Sequence, residues 1–229
     1  MLTIDEAREL VSTRGWLSQT SNEFRSAILG RVSLQAFPAG ASLCSVGDPP
    51  GGVYGLVSGS VKVAMAPGED GPVIGHIMTP GSWSGYEPAI AGGNRIIGLT
   101  AGRSCQVLFL PLHALNEILA RDPASWRFLA GLALIDTKTA LGAMNDLMIR
   151  DEFRRFLATL LRAGGFRRGG DKDDRLVWLD LNQSELAHMS NLSRTTVGAF
   201  LRRLEAEGHV RIGYGRIGIP APDALRALY

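Results

Sequence analysis

The chain has two cysteines, Cys44 and Cys105, in 229 residues. They show no CxxC spacing and are too few for a Cys-built metal site. Buried, inert thiols are the plain expectation for them. Long apolar runs are missing too. Those present are short and broken by glycine and polar residues, so none reads as a bilayer span. The opening stretch, MLTIDEAREL, carries acids early and has no apolar signal region. A cytoplasmic protein, with no membrane among its partners, is expected. No nucleophile–base constellation, no phosphate-binding glycine loop before a helix and no metal-ligand spacing is visible, so the chain does not read as an enzyme.

Hydrophobic residues make up 45% and charged residues 20%, which leaves enough apolar material for packed cores and no case for disorder. Net charge is only +2 but unevenly spread. Residues 1–149 hold 10 basic and 12 acidic residues; residues 150–229 hold 14 and 10. The mildly basic C-terminal part fits a polyanionic partner.

Three regions differ in texture. In the first, residues 1–122, 17 of the 28 glycines occur, and short β-rich pieces alternate with turn residues. These pieces are Arg31–Phe37, Ser42–Val46, Val53–Val57, Val61–Met65, Val73–Met78, Arg95–Thr100 and Cys105–Leu110. Strands of this length and spacing predict a sandwich or barrel. A short helix over about Asn22–Leu29 precedes them.

The second region, residues 123–149, predicts one long helix, with Pro123 in its first turn and Asp122 as N-cap. Trp126, Ala130, Ala133, Thr137, Ala140, Met144 and Leu147 step by four and three. This is a heptad seam, and periodicity alone leaves open whether it packs in a core or against a partner. Leu129, Leu132 and Ile135 enrich an adjacent face, so the helix could bury two sides.

The third region, residues 150–229, predicts a helix over Asp151–Arg162, a charged glycine-rich loop over Phe166–Arg175, and a strand over Leu176–Leu181. Two small β pieces in Val210–Ile219 close it, around Gly213-Tyr214-Gly215. Between them lies NQSELAHMSNLSRTTVGAFLRRLEAE, residues 182–207. Asn182 or Ser184 caps a first helix, Ser190-Asn191-Leu192 turns, and Ser193 caps a second helix starting at Arg194. This is the helix-turn-helix pattern. Val197, Leu201 and Leu204 are expected inside. Arg194, Thr195 and Thr196 sit on the first turn, where side chains reach base edges in the major groove. Arg202 and Arg203 are placed for phosphates, and Arg211, Tyr214 and Arg216 for backbone contacts from a wing. Ser184 and Ser193 complete the candidate DNA-binding set.

At this point the sequence resembles the CRP/FNR family of transcription regulators. FPAGASLCSVGDPPGGVYGLVSGSVKV is similar to the family's β-roll signature, RFLATLL to the start of its DNA-binding domain, and LNQSELAHMSNLSRTTVGAFLRRLEAEG to its helix-turn-helix. The resemblance implies an α+β protein: an N-terminal cyclic-nucleotide-binding-type β-roll (a double-stranded jelly roll), a long dimerisation helix, and a C-terminal winged helix-turn-helix. It implies a homodimer along residues 123–149 that reads a palindromic operator in double-stranded DNA, works with RNA polymerase, and answers to an effector in the roll. A competing reading is a cyclic-nucleotide or small-ligand module that regulates a protein partner. Such a module has no need of the Ser193–Glu207 helix.

The reader helix departs from the family's best-known member. The resemblance matches a reading arginine to Arg194, but Thr195 and Ala199 stand where a glutamate and a second arginine are expected. More of the specificity is therefore expected from DNA shape. The effector region reads GSWSGYEPAIAGGNRIIGLTA. Gly85 and Arg95 match the cyclic-AMP pattern. Its glutamate falls on Tyr86 or, with a slip, Glu87; its phosphate-binding serine is Ile96; its helix hydroxyls fall on Ala140 and Leu141, with Thr137 and Thr139 nearby. Cyclic AMP is thus not expected. An FNR-type iron–sulfur cluster needs four cysteines and is not expected either. Haem lacks a histidine in Trp83–Ile90, although His76 and His113 lie elsewhere in this region. The candidate pocket is Trp83, Gly85, Tyr86, Glu87, Arg95 and Thr137. For Trp83 and Tyr86 packing in the core is the alternative. For Arg95 it is a pair with Glu87, or solvent.

Overall fold

The computed structural model describes residues 1–65, 71–166 and 176–229. Contacts divide them into two units, Met1–Asp136 and Thr137–Tyr229, with the division inside one helix, α5 (Trp126–Leu147).

In the first unit, eight strands form two antiparallel four-stranded sheets. They are β1 (Ser33–Phe37), β2 (Ser42–Cys44), β3 (Gly52–Ser58), β4 (Val61–Met65), β5 (Val73–Met78), β6 (Trp83–Ser84), β7 (Ile97–Ala101) and β8 (Cys105–Pro111). One sheet runs β1-β8-β3-β6 and the other β2-β7-β4-β5. Side chains alternate across a strand, and β3 uses both faces. Tyr54 and Leu56 join Cys44, Val61, Met78, Leu99 and Val107 in the cluster between the sheets. Val53 and Val57 join Leu108 and Leu110 in a second cluster, against helices. Those helices are α1 (Ile4–Thr13), α2 (Asn22–Leu29), α4 (Leu112–Arg121) and the first turns of α5; α3 (Glu87–Ala91) follows β6.

Helix α1 starts in a capping box between Thr3 and Glu6 and buries Ala7 and Val11. Leu129 and Leu132 of α5 are 1% and 2% exposed in the same cluster. At about 1.5–3 kcal/mol for each such leucine, they fasten the start of α5 to the roll. Trp16 adds an edge contact with Trp83, centroids 5.8 Å apart, and its indole N–H donates to the Phe128 carbonyl at 2.7 Å. Where the Trp16 segment crosses the turn before β6, Gly15 (φ 79°) meets Gly81 (φ 97°). A Cβ on Gly15 would overlap the Gly81 carbonyl oxygen, so both backbones approach more closely than any side chain allows.

Several sequence expectations need correction here. The roll region holds α1, α3, α4 and β6 besides α2 and the predicted strands. The predicted Arg31, Val46 and Arg95 ends lie outside their strands. Asp122 caps a single 3-10 turn, Pro123–Ser125, and α5 proper begins at Trp126. Ala133, assigned to the seam, is partly buried against the first unit's core, whereas Ile135, assigned to the covered face, is 41% exposed. The remaining apolar surface of α5 is Trp126, Leu134, Leu141, Met144 and Leu147, each 42–54% exposed.

In the second unit, α6 (Glu152–Ala163) starts at the Asp151 cap. Then come β9 (Val177–Leu179), α7 (Gln183–Ser190), α8 (Arg194–Ala206), β10 (Arg211–Gly213), β11 (Arg216–Ile219) and α9 (Pro222–Ala227). The small sheet is antiparallel in the order β10-β11-β9. Phe156, Leu157, Leu160, Leu161, Leu186, Val197, Leu201 and Leu204 are fully buried. Phe153, Phe156 and Phe200 share ring contacts at 5.1–6.3 Å. Arg162 of α6 pairs with buried Asp146 of α5 at 2.8 Å. Arg155 donates to the carbonyls of Ile149 (2.7 Å) and Ser190 (2.9 Å). These contacts fix α6 to the end of α5 and to α7. The hairpin expected to close the chain is followed by α9, whose Leu225 is buried. Most of the Phe166–Arg175 loop, residues 167–175, lies outside the described residues.

Candidate nucleic-acid interface and effector pocket

Helix α7 opens on a capping box. The Glu185 amide donates to Asn182 Oδ1, and the Asn182 amide donates to Glu185 Oε2, both at 2.9 Å. Asn182 is therefore the cap and Ser184 is not. Asn191 ends the helix in the left-handed conformation (φ 50°, ψ 54°), and the Leu192 amide turns back to the Ala187 carbonyl. Ser193 then caps α8 by accepting from the Thr196 amide at 3.0 Å.

Val197, Leu201 and Leu204 hold one face of α8 in the core, which turns the first turn outward. Arg194 and Thr195 are exposed there. Thr196 is half-buried, and its hydroxyl hydrogen-bonds Ser193 Oγ at 2.8 Å, so these two residues shape the helix start. Arg202 and Arg203 are both exposed. Arg203 pairs with Glu207 at 3.0 Å and lies over the Phe153 ring. Residues 182–184, Arg194 and the wing residues Tyr214 and Arg216 line one cleft of about 390 Å³. The Arg216 guanidinium lies 4.1 Å from the centre of the Trp178 ring. Sequence reasoning missed Trp178; nothing in its local pattern connects it to an arginine 38 residues on.

In the first unit, Trp83 (2% exposed) and Tyr86 (4%) belong to the core. The Tyr86 hydroxyl donates to Asp136 of α5 at 2.7 Å, and burial pushes the phenol well above its ordinary range. Arg95 neither pairs with Glu87 nor lies in solvent. It is 3% exposed, donates through Nη2 to the Gly52 carbonyl at 2.8 Å, and sits over the Tyr54 ring. Its Nη1 has no partner, nor has the buried Oε2 of Glu87. Gly85 packs directly on Nη1: a Cβ there would lie 2.7 Å from it. Desolvation raises the Glu87 carboxyl, against the opposing pull of its own backbone hydrogen bond and of Arg95. The structure thus brings Gly85 and Arg95 together and keeps Trp83 as packing. Thr137, the remaining predicted pocket residue, is exposed and belongs to the second unit.

Cys44 and Cys105 are buried free thiols, both pushed up by burial. Among the described residues no group of three or more His, Cys, Asp and Glu side chains could hold a metal, and no helix is long and apolar enough to cross a membrane.

Residues 34–122 match the cyclic nucleotide-binding domain, and residues 154–228 match the Crp-like helix-turn-helix domain. Solved structures share the fold. A candidate cyclic nucleotide binding protein of Ruegeria pomeroyi is 14% identical, with TM-score 0.70 over 99% of this chain and 98% of that one. FixK2 of Bradyrhizobium japonicum is 19% identical, with TM-score 0.68 over 86% and 96%. The c-di-GMP responsive global regulator CLP of Xanthomonas campestris is 20% identical, with TM-score 0.64 over 87% and 99%. No curated protein sequence matches the chain significantly.

Proposed function

The chain belongs to the CRP/FNR family of transcription regulators, and from that premise we propose that it acts in the cytoplasm as a homodimer reading a palindromic operator. The observation that carries this reading is the first turn of α8. Arg194 and Thr195 stand exposed on a helix whose opposite face is locked by three fully buried residues. An arginine so placed offers two parallel donors to guanine O6 and N7, and a threonine offers a hydroxyl and a methyl. Ser184 and Arg216 share a cleft with Arg194, Ser193 and Thr196 stand at the same helix start, and Arg202 and Arg203 lie about two turns further along α8; together they supply backbone contacts, the arginines adding sequence-blind, salt-dependent affinity.

The exposed apolar stripe of α5 supplies the dimer seam: Trp126, Ala130, Thr137, Ala140, Met144 and Leu147, widened by Leu134 and Leu141. Two-fold symmetry then sets the two reader helices about one turn of DNA apart. Domain limits follow as 1–122 for the roll, 123–149 for the dimer helix and 150–229 for the reader. RNA polymerase is the protein partner of the DNA-bound dimer. An effector, where one acts, is an anion drawn to the buried, unpartnered Nη1 of Arg95 beside Gly85 and Glu87, and it enters only as the segment Gly85–Glu87, with Tyr86, moves off that guanidinium. It shifts the balance between binding-competent and incompetent dimers.

Selection from a random duplex library with the full-length protein tests this. Enrichment of an inverted repeat with half-sites about 10 base pairs apart, centre to centre, is expected. Recovery of no repeat at all, with binding equal on every sequence, would refute operator reading.

A further inference from the structure

One face of the β10-β11-β9 sheet is a core face: Leu179 opposes Ile217, and both are buried. The opposite face follows from the same registers. Trp178 opposes Gly218, Gly218 opposes Arg211, and Gly213 opposes Arg216. Because alternate residues share a face, Trp178, Arg211, Gly213, Arg216 and Gly218 all lie on it.

The two glycines make room for a stack. A Cβ on Gly218 would lie 3.1 Å from the Trp178 ring, and one on Gly213 would lie 3.1 Å from that ring and 3.0 Å from Arg216 Cγ. With no side chain at either position, the indole reaches across β11, and the guanidinium lies over it at 4.1 Å. A planar guanidinium over an aromatic face is held in one orientation while its N–H groups stay free for in-plane acceptors. Arg216 also lines the cleft that Ser184, Arg194 and Tyr214 share.

We propose that Trp178 is a positioning residue for DNA binding: it holds the Arg216 guanidinium ready to grip one backbone phosphate between the wing and the start of α7. The inference rests on the DNA-binding reading above and adds to it a residue outside the helix-turn-helix. Without the indole, a long side chain next to a glycine-rich turn must be ordered anew at each binding event. With it, the donor fork is already in place when the phosphate arrives. The phosphate carries no base identity, so this contact acts equally on all sequences.

The test uses the full-length protein and a random-sequence 30-base-pair duplex, with the binding constant followed against KCl concentration. Each neutralised phosphate contributes about 0.9 to the slope of log K against log salt. Arg216→Ala should lower the slope by about that much per subunit. Trp178→Leu keeps the Arg216 charge, so it should weaken binding at one fixed salt concentration while leaving most of the slope, and the double variant should bind no more weakly than Arg216→Ala. Trp178→Phe, which keeps an aromatic face, should restore most of the loss. Arg216→Lys keeps the charge, and with it the slope, but not the planar fork, and should weaken binding at a fixed salt concentration nearly as much as Trp178→Leu. Circular dichroism checks that each variant folds. Should Trp178→Leu fail to fold, Arg216→Lys decides alone: wild-type affinity there, with the charge kept and the stacked fork lost, overturns the proposal, as does wild-type affinity in folded Trp178→Leu or additive losses in the double variant. Absence of salt-dependent binding by the wild type would instead overturn the DNA-binding reading itself.

Discussion

The hydroxyl of Tyr86 donates a 2.7 Å hydrogen bond to the carboxylate of Asp136, 50 residues further along the chain. It joins the segment beside Arg95 to the helix that carries the proposed dimer seam. Tyr86→Phe removes only the donor. A loss of about 1 kcal/mol of stability is expected, since Asp136 lies at an exposed helix position and water replaces part of the bond. Chemical denaturation of the two proteins checks it. A stability gain would show that the bond costs more in desolvation than it returns.

Arg194→Ala should weaken binding to the selected operator by ~1–3 kcal/mol, as for a lost bidentate base contact. Binding to random duplex should fall much less. Equal losses on the two DNAs, measured by fluorescence anisotropy at one salt concentration, would make Arg194 a phosphate contact.

Leu141 is 53% exposed on α5. Leu141→Asp should leave the fold of each unit within about 0.5 kcal/mol of the wild type, as surface substitutions do, while halving the mass seen by light scattering at micromolar concentration. An unchanged mass would remove Leu141 from the seam.

Glu87 gives a pH signature. Desolvation raises its carboxyl above the usual 4.5. The folded protein therefore holds this proton more tightly than the unfolded chain does. Stability from this group is complete below the unfolded value and is lost as pH rises through the folded one. The urea midpoint of the wild type, compared with that of Glu87→Gln, should rise on going from pH 7 to pH 5. Parallel pH profiles for the two proteins would show that Glu87 titrates normally.

Local chemistry made part of this molecule readable from its sequence. Val61–Met65 and Val73–Met78 are bounded by turn residues and came out as strands with those limits. The reader segment was legible because its caps are explicit: Asn182 with Glu185, then Ser193, each at a helix start. Helix α1 was missed although Thr3 and Glu6 form a capping box at its start, because its mixed polarity hid the buried pair Ala7 and Val11. Helix α4 follows β8 directly, with Pro111 ending the strand and preceding the helix; the strand end was visible there, but no side-chain cap marks the helix start.

What stayed hidden depends on distant parts of the chain. Periodicity found an apolar stripe on α5, but which residues the roll covers is a tertiary fact, and it moved Ala133 inward and Ile135 outward. Arg95 was expected to line the effector pocket, with a surface or Glu87-paired charge as the alternative, and nothing local showed that it is buried. Its burial needs the Gly52 carbonyl and the space that Gly85 leaves, 43 and 10 residues away. The stack of Trp178 on Arg216 needs a register between β9 and β11 that no short window contains.

The meeting of Gly15 with Gly81 has a consequence for the protein's history. Most damaging substitutions can be compensated when a neighbour shrinks to make room. Here the neighbour is a backbone carbonyl, present whatever residue occupies position 81. No second-site change of side chain can restore the lost space. Lineages descending from this sequence should keep glycine at position 15 however far the residues around it drift, and a genetic screen for suppressors of Gly15→Ala should return true revertants before any pseudorevertant at position 81.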